Sequence, residues 1–259
     1  MQNVNISSIG KHIISTIDLY EALKSLGVKQ GDVICVHSQL MNLGKPLLKK
    51  QEFLERITET LLEAIGEEGT LIMPTFSYSF CKNEVFDVQN TPSDVGILTE
   101  YFRNMPYVKR TWHPIFSFAV SGARTEEYLD IGPDAFSLDS VYGKMIRDDG
   151  KIVMMGANAG YTFYYLAEEH LNVSHRYFKN FNGQIKYDNS QIVQTNIPYF
   201  VRALSVKSDL DEKKLSEFLR KSDCQRQVKF AHGTLAVIEC EKAYSTLIST
   251  LKSDENIFL

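Results

Sequence analysis

Apolar residues along this chain recur in two rhythms. Between residues 51 and 65, Phe53, Leu54, Ile57, Leu61 and Ile65 fall three or four positions apart, and Gly66 follows. That spacing predicts an amphipathic helix with a glycine stop. Residues 16–26 repeat it: Thr16 is placed to cap the helix, Asp18 and Glu21 favour its first turn, and Gly27 ends it. Short apolar blocks at 33–36, 70–73 and 152–155 are too brief for helices and predict buried strands. The same signals predict helices at 96–104, 162–171, 211–221 and 242–251, and strands at 116–120, 184–187, 191–194 and 234–239. Residues 76–93 read as an irregular, mostly polar surface loop. Buried strands alternating with amphipathic helices predict an α/β fold, a layered α/β/α arrangement around a central sheet. The alternating 184–194 region makes that sheet mixed. The chain reads as one domain over residues 1–259, with 181–259 a candidate C-terminal subdomain.

Composition narrows the partners. A chain of 259 residues can bury a substantial core. Its formal charge of −4 lacks the basic excess of a nucleic-acid-binding surface. No apolar run approaches the ~20 residues that cross a bilayer. The first residues lack the apolar core of a secretory signal. Cys35, Cys81, Cys224 and Cys240 lie far apart, and Cys35 sits in an apolar run as a buried free thiol would. A cytoplasmic location with reduced thiols is expected, with no nucleic-acid or membrane partner.

Four segments are candidates for chemistry. His37, Ser38, Gln39 and Leu40 follow a predicted strand, where exposed backbone amides can receive a phosphate; an ordinary strand-end turn is the competing explanation. Arg110, Thr111, Trp112 and His113 precede Pro114, which fixes the backbone beside the imidazole, with Ser117 on the following strand. The 156–160 loop leads into a helix on which Tyr165, Glu168 and Glu169 are spaced to share a face. It lacks both G-x-G-x-x-G and G-x-x-x-x-G-K-[ST], so neither nucleotide loop is present. Glu169 and His170 near His175 do not form H-E-x-x-H, and no metal is expected. Finally, His175, Arg176, Tyr177 and Lys179 interleave basic and aromatic groups, which can hold phosphates or a sugar ring, or simply be a solvated loop with aromatic anchors.

In order along the chain, Val36-His-Ser-Gln-Leu-x-x-Leu-Gly44, Gly69-Thr-Leu-Ile-Met-Pro-Thr75, Thr91-Pro-Ser-x-x-Gly96, Arg110-Thr-Trp-His113-Pro-x-x-Ser117, Gly150-Lys-Ile-Val-Met-Met-Gly156 and Thr162-Phe-Tyr-Tyr-Leu-Ala-Glu168 resemble the aminoglycoside 3-N-acetyltransferase family. The resemblance implies acetyl-CoA or another acyl-CoA as co-substrate and an amine on a sugar ring as acceptor. It implies that Ser38 to Leu40 lie at the CoA phosphates, with His37, Arg110 and Ser117 as further CoA-binding candidates. It places the chemistry near Thr75, His113, Tyr165 and Glu168. Where the family carries histidine in T-x-x-H-x-x-E, this chain has Tyr165, a poor base with its pKa near ~10. The stretch 76–93 is compact, with Glu84 and Asp87 as its acids, and Arg176, Tyr177 and Lys179 suit an anionic acceptor. The expected acceptor is therefore a nucleotide-linked amino sugar of surface polysaccharide synthesis. Aminoglycoside 3-N-acetylation is the alternative, as is an impaired relative that only binds CoA or a nucleotide sugar. Homo-oligomer formation is left open.

Overall fold

The protein is described from a computed structural model covering residues 2–157, 161–188 and 190–259. Its N-terminus forms a hairpin, β1 (Asn5–Ile9) and β2 (His12–Ser15), which leads into α1 (Thr16–Ser25). The elements β3 (Val33–Ser38), β4 (Lys45–Pro46), α2 (Lys50–Ile65) and β5 (Thr70–Pro74) follow, then β6 (Phe86–Asp87), α3 (Ile97–Arg103), β7 (Lys109–Arg110) and β8 (Phe118–Gly122). Next come α4 (Thr125–Leu129), α5 (Val141–Arg147), β9 (Lys151–Met155) and α6 (Tyr164–Leu171). A long hairpin of β10 (Arg176–Lys186) and β11 (Ile192–Arg202) precedes α7 (Glu212–Lys221), β12 (Gln225–Phe230), β13 (Gly233–Glu239) and α8 (Cys240–Ser253).

Seven strands form the central sheet in the order β12-β13-β9-β3-β5-β8-β7. The core trio β9-β3-β5 is parallel, and β13 and β8 flank it antiparallel, so the sheet is mixed. Because side chains alternate along a strand, each central strand feeds two cores. Val33, Cys35, Ile72, Val120, Ile152 and Met154 face one of them, beneath Tyr128, Tyr142, Leu166, Leu219 and Leu247 of the helices α4 to α8. Ile34, Val36, Leu71, Met73, Val153 and Met155 face the other, beneath Leu19, Leu23, Phe53, Ile57 and Phe102 of α1 to α3. This is the layered α/β/α arrangement with a mixed sheet. Strands β12 and β13 pair into the same sheet as β3, β5 and β8, whereas β1 and β2 form a separate sheet with β4, and α8 packs on α5 and α6.

Local differences from the sequence patterns have physical causes. Ser15, not Thr16, caps α1: its hydroxyl accepts from the Asp18 amide while Asp18 accepts from the Ser15 amide. Thr16 instead links Val4 and Gln2. The strand expected at 116–120 runs from Phe118 to Gly122, because residues 113–117 form a turn. The 76–93 stretch is not a surface loop. Phe76, Phe80, Phe86 and Val88 are buried, and β6 pairs in parallel with β10. Its polar composition hides four apolar anchors. The two short strands expected at 184–187 and 191–194 are the inner ends of the 11-residue arms of β10 and β11, which pair with β6 in a separate three-stranded sheet. The central sheet is therefore mixed through β13 and β8 rather than through this region, where the mixing was expected.

Candidate active site

Parallel strands end on one side of a sheet, and ligands of open α/β folds bind beyond their carboxyl ends. Here the ends of β3 and β5 border a cleft of about 300 Å³ lined by His37, Ser38, Phe76, Tyr78, Ala157 and Thr162 among others. Four other grooves are larger: those of about 700 Å³ beside Arg56, about 980 Å³ beside Tyr101 and about 390 Å³ beside Ser216 contain none of the expected site residues, and one of about 590 Å³ beside Arg103 includes Arg110. Ser38 pairs with Met155, which brings the end of β9 beside it. The Gln39 amide donates to the Met155 carbonyl (2.9 Å) and is not free for a phosphate, contrary to the expectation of open amides there. A short 3₁₀ turn, Leu40–Leu43, follows. Asn42 Nδ2 donates to the Gly156 carbonyl (2.7 Å), which ties that turn to the end of β9. Gly156 has φ +68°, and a Cβ there would lie 2.8 Å from the Gln39 carbonyl oxygen, so the approach needs glycine. The glycine loop expected at 156–160 continues into 158–160, outside the described residues.

The imidazole of His37 is half-buried, with Nε2 3.9 Å from Cys35 Sγ. Burial pushes its pKa down to about 4, so the ring is neutral at physiological pH. Tyr78 adopts the left-handed conformation (φ 54°), uncommon for a bulky residue, and this turns the chain sharply at the cleft wall. From the cleft a run of ring contacts leads to α6. Tyr78 meets Phe116 at 5.8 Å, Phe116 meets Phe136 at 5.1 Å, and Phe136 meets Tyr165 at 5.7 Å between centroids.

Tyr165 is not in the cleft lining and connects to it through these rings. Its hydroxyl is held above the ordinary phenol range by burial, an effect that the nearby Arg176 charge opposes. A phenol so shifted stays protonated at neutral pH and is a donor, not a base. The Arg176 guanidinium lies 4.1 Å from the Tyr165 ring centroid. It also forms an ion pair with Glu168, whose other oxygen is 2.8 Å from His175 Nε2. All three side chains are almost fully buried. This corrects two expectations. Arg176 is buried and paired with Glu168 rather than exposed to an anionic acceptor. Glu168 is not an open acid or base but the centre of a buried triad.

The other expected residues divide in the same way. Arg110 donates through Nε to Thr75 Oγ1 and Ser117 Oγ (both 3.1 Å) and through Nη2 to the Thr75 carbonyl (2.6 Å). Its Nη1 donates to the Thr91 carbonyl (2.5 Å). With every guanidinium nitrogen engaged, Arg110 joins the loops around Thr75, Thr91 and Ser117 rather than facing a phosphate, and burial lowers its pKa to about 9. Thr75 and Ser117 are wholly buried within that node. His113 Nδ1 accepts from the amides of Ile115 and Phe116 (3.2 and 2.9 Å), which holds the turn ahead of β8, and burial pushes the ring down to about 3. Gln39 is exposed, whereas Leu40 packs partly against the core beneath α2. Tyr177 and Lys179 are exposed on β10, Lys179 lying 4.8 Å over the Phe181 ring.

Sequence reasoning missed Tyr78 and the loop around Asp134 and Phe136. Nothing in the local pattern marks them, since their role comes from the fold bringing residues 78, 136 and 165 together. Glu169 was noted only as sharing a face with Tyr165. Burial and the adjacent Asp134 charge push its carboxyl well above the usual carboxylate range. Among the described residues, no group of three or more His, Cys, Asp or Glu could hold a metal ion.

Fold and cleft together define a layered α/β scaffold whose open site lies at the ends of its parallel strands. The family model described as aminoglycoside 3-N-acetyltransferase matches residues 35–252, and the chain belongs to that family. Aminoglycoside N(3)-acetyltransferase IV of Salmonella sp is 32% identical over 143 residues, 54% of this chain and 52% of that protein. The chain thus aligns with about half the length of this curated relative. The crystal structure of aminoglycoside acetyltransferase AAC(3)-IVa, as apoenzyme, is 26% identical with a TM-score of 0.76, covering 94% of this chain and 90% of that one. AAC-IIIb, solved as a binary complex with CoASH, shares the fold at 19% identity and a TM-score of 0.77, over 92% of this chain and 96% of that one.

Proposed function

We propose that this protein transfers the acetyl group of acetyl-CoA to the 3-amine of an aminoglycoside. The observation that carries this is the cleft itself. It is built from segments inside the family match, at His37–Ser38, Phe76 and Thr162, and lies at the carboxyl ends of β3 and β5. The expected nucleotide-linked amino sugar rested on Arg176, Tyr177 and Lys179 and on the compact 76–93 stretch, and the buried ion pair with Glu168 takes Arg176 from that set. The names of the matched relatives favour the aminoglycoside.

In this mechanism the thioester carbonyl sits over the ends of β3 and β5, and the acceptor amine attacks it in line with the cleft. The Ser38 hydroxyl at the cleft wall is placed to donate to the developing oxyanion. The aromatic wall of Phe76 and Tyr78 excludes water from the thioester. Expulsion of CoA as a thiol completes the transfer. A thiol-release assay with acetyl-CoA and a panel of aminoglycosides and nucleotide-linked amino sugars tests the proposal. Turnover of aminoglycosides supports it, and turnover confined to nucleotide sugars refutes it.

A further inference from the structure

Tyr165 on α6 is a proton donor rather than a base, and the glutamate three positions later is held by His175 and Arg176. The site therefore needs another group to carry the amine proton. Of the six histidines, His12 and His232 are exposed. His170 contacts the Tyr244 hydroxyl, His113 holds its own turn, and His175 sits on Glu168. Only His37 lines the cleft among the described residues. Strand β3, the middle strand of the parallel trio, presents it at its carboxyl end, beside Ser38 and across from Tyr78 and Thr162.

We infer that His37, placed by sequence with CoA binding, is the proton carrier of the transfer. This rests on the acetyltransferase function proposed above. The acceptor enters as a free amine, its ammonium proton already lost to solvent. Its nitrogen attacks the thioester carbon, a C–N bond forms, and the nitrogen of the tetrahedral adduct becomes cationic. The His37 imidazole takes a proton from that nitrogen. When the C–S bond breaks, the electron pair leaves on sulfur, and the imidazolium returns the proton there, giving amide and thiol with no net change at the ring. The surroundings suit a shuttle. The Cys35 thiol lies 3.9 Å from the ring, the cleft lining adds Ser38, Tyr78, Thr99 and Thr162, and the described lining holds no carboxylate that would retain the proton. An imidazole kept neutral by burial accepts only from a strongly acidic N–H, such as that of the adduct, and releases readily to a thiolate.

Chemical rescue separates this role from CoA binding. His37→Ala is expected to lower kcat about 10²–10³-fold, within the range for general acid–base catalysis. The acetyl-CoA KM should stay within about threefold of wild type. Added imidazole, which fits the space the ring vacates, should restore at least a tenfold part of the loss. An unchanged kcat, or a loss that more acetyl-CoA alone reverses, overturns the inference. A second measurement needs no turnover: ¹⁵N spectra of histidine-labelled protein, with His37 assigned through His37→Gln. Saturating CoA should move the His37 ring resonances, and their failure to move overturns the placement. A wild type that binds CoA and shifts His37 yet acetylates no aminoglycoside refutes the acceptor, and leaves His37 to be judged on whichever amine is turned over.

Discussion

Arg176→Met removes the cation from a carboxylate with 1% of its surface exposed. Glu168 is left with His175 as its only partner of comparable strength. Breaking a buried pair from one side costs about 3–5 kcal/mol, because the remaining charge is uncompensated. For 259 residues the unfolding entropy near 60 °C is about 0.5 kcal/mol/K, so this corresponds to a Tm fall of about 6–9 °C. Methionine keeps most of the packing over the Tyr165 ring, so the loss reports charge rather than volume. Glu168→Gln strands Arg176 in the same way and should cost a similar amount. The double variant Glu168→Gln/Arg176→Met should be more stable than the sum of the single losses predicts, by about 2 kcal/mol or more, as expected for residues in one network. Urea denaturation at pH 7, read as midpoints at constant slope, measures all four proteins. Strictly additive losses, or an Arg176→Met cost below about 1 kcal/mol, would show that the triad does not hold α6 to β10.

Because Glu168 is already held by His175 and Arg176, Tyr165→His gains no orienting carboxylate; kcat should change by less than about tenfold, where an oriented base would give about 10²–10⁴-fold. Gly156→Ala forces a Cβ towards the Gln39 carbonyl from a backbone with φ +68°, and it should weaken the CoA-induced rise in Tm while leaving a folded protein. Glu169 keeps its proton in the folded protein at pH values where the unfolded chain has lost it, since burial and Asp134 raise its pKa. Stability should therefore fall as pH rises through and above the ordinary carboxylate range, and Glu169→Gln should flatten that slope in a series of melts from pH 5 to about pH 8.

The inner strands of the sheet were legible because they are short, apolar and bounded by glycine or proline, whereas the edge strands β7 and β12, polar in sequence, were not expected; α2 was legible because Phe53, Leu54, Ile57 and Leu61 fix its face. The hairpin of β10 and β11 was only half visible: most residues on both arms are partly or fully exposed, and no apolar alternation marks the outer ends. Phe76, Phe80 and Phe86 were hidden by polar neighbours, although all three are core residues. At the site, sequence named His37 and Ser38, which line the cleft, and Tyr165, which is linked to it through Phe136 and Phe116. It could not tell that Arg176 would turn inward onto Glu168, because a buried arginine and a substrate-binding arginine look alike until the partner carboxylate is placed. The same holds for Arg110, whose partners are mostly carbonyls and hydroxyls from loops distant in sequence.

The measurement that bears most directly on the central proposal is product analysis after incubation with acetyl-CoA and an aminoglycoside carrying a free 3-amine. Thiol release should match product formation one for one, and NMR of the product should place the acetyl group on the 3-nitrogen. Acetylation at another amine would contradict the assigned position. The absence of transfer from a protein that CoA nonetheless stabilises would contradict the acetyltransferase function itself.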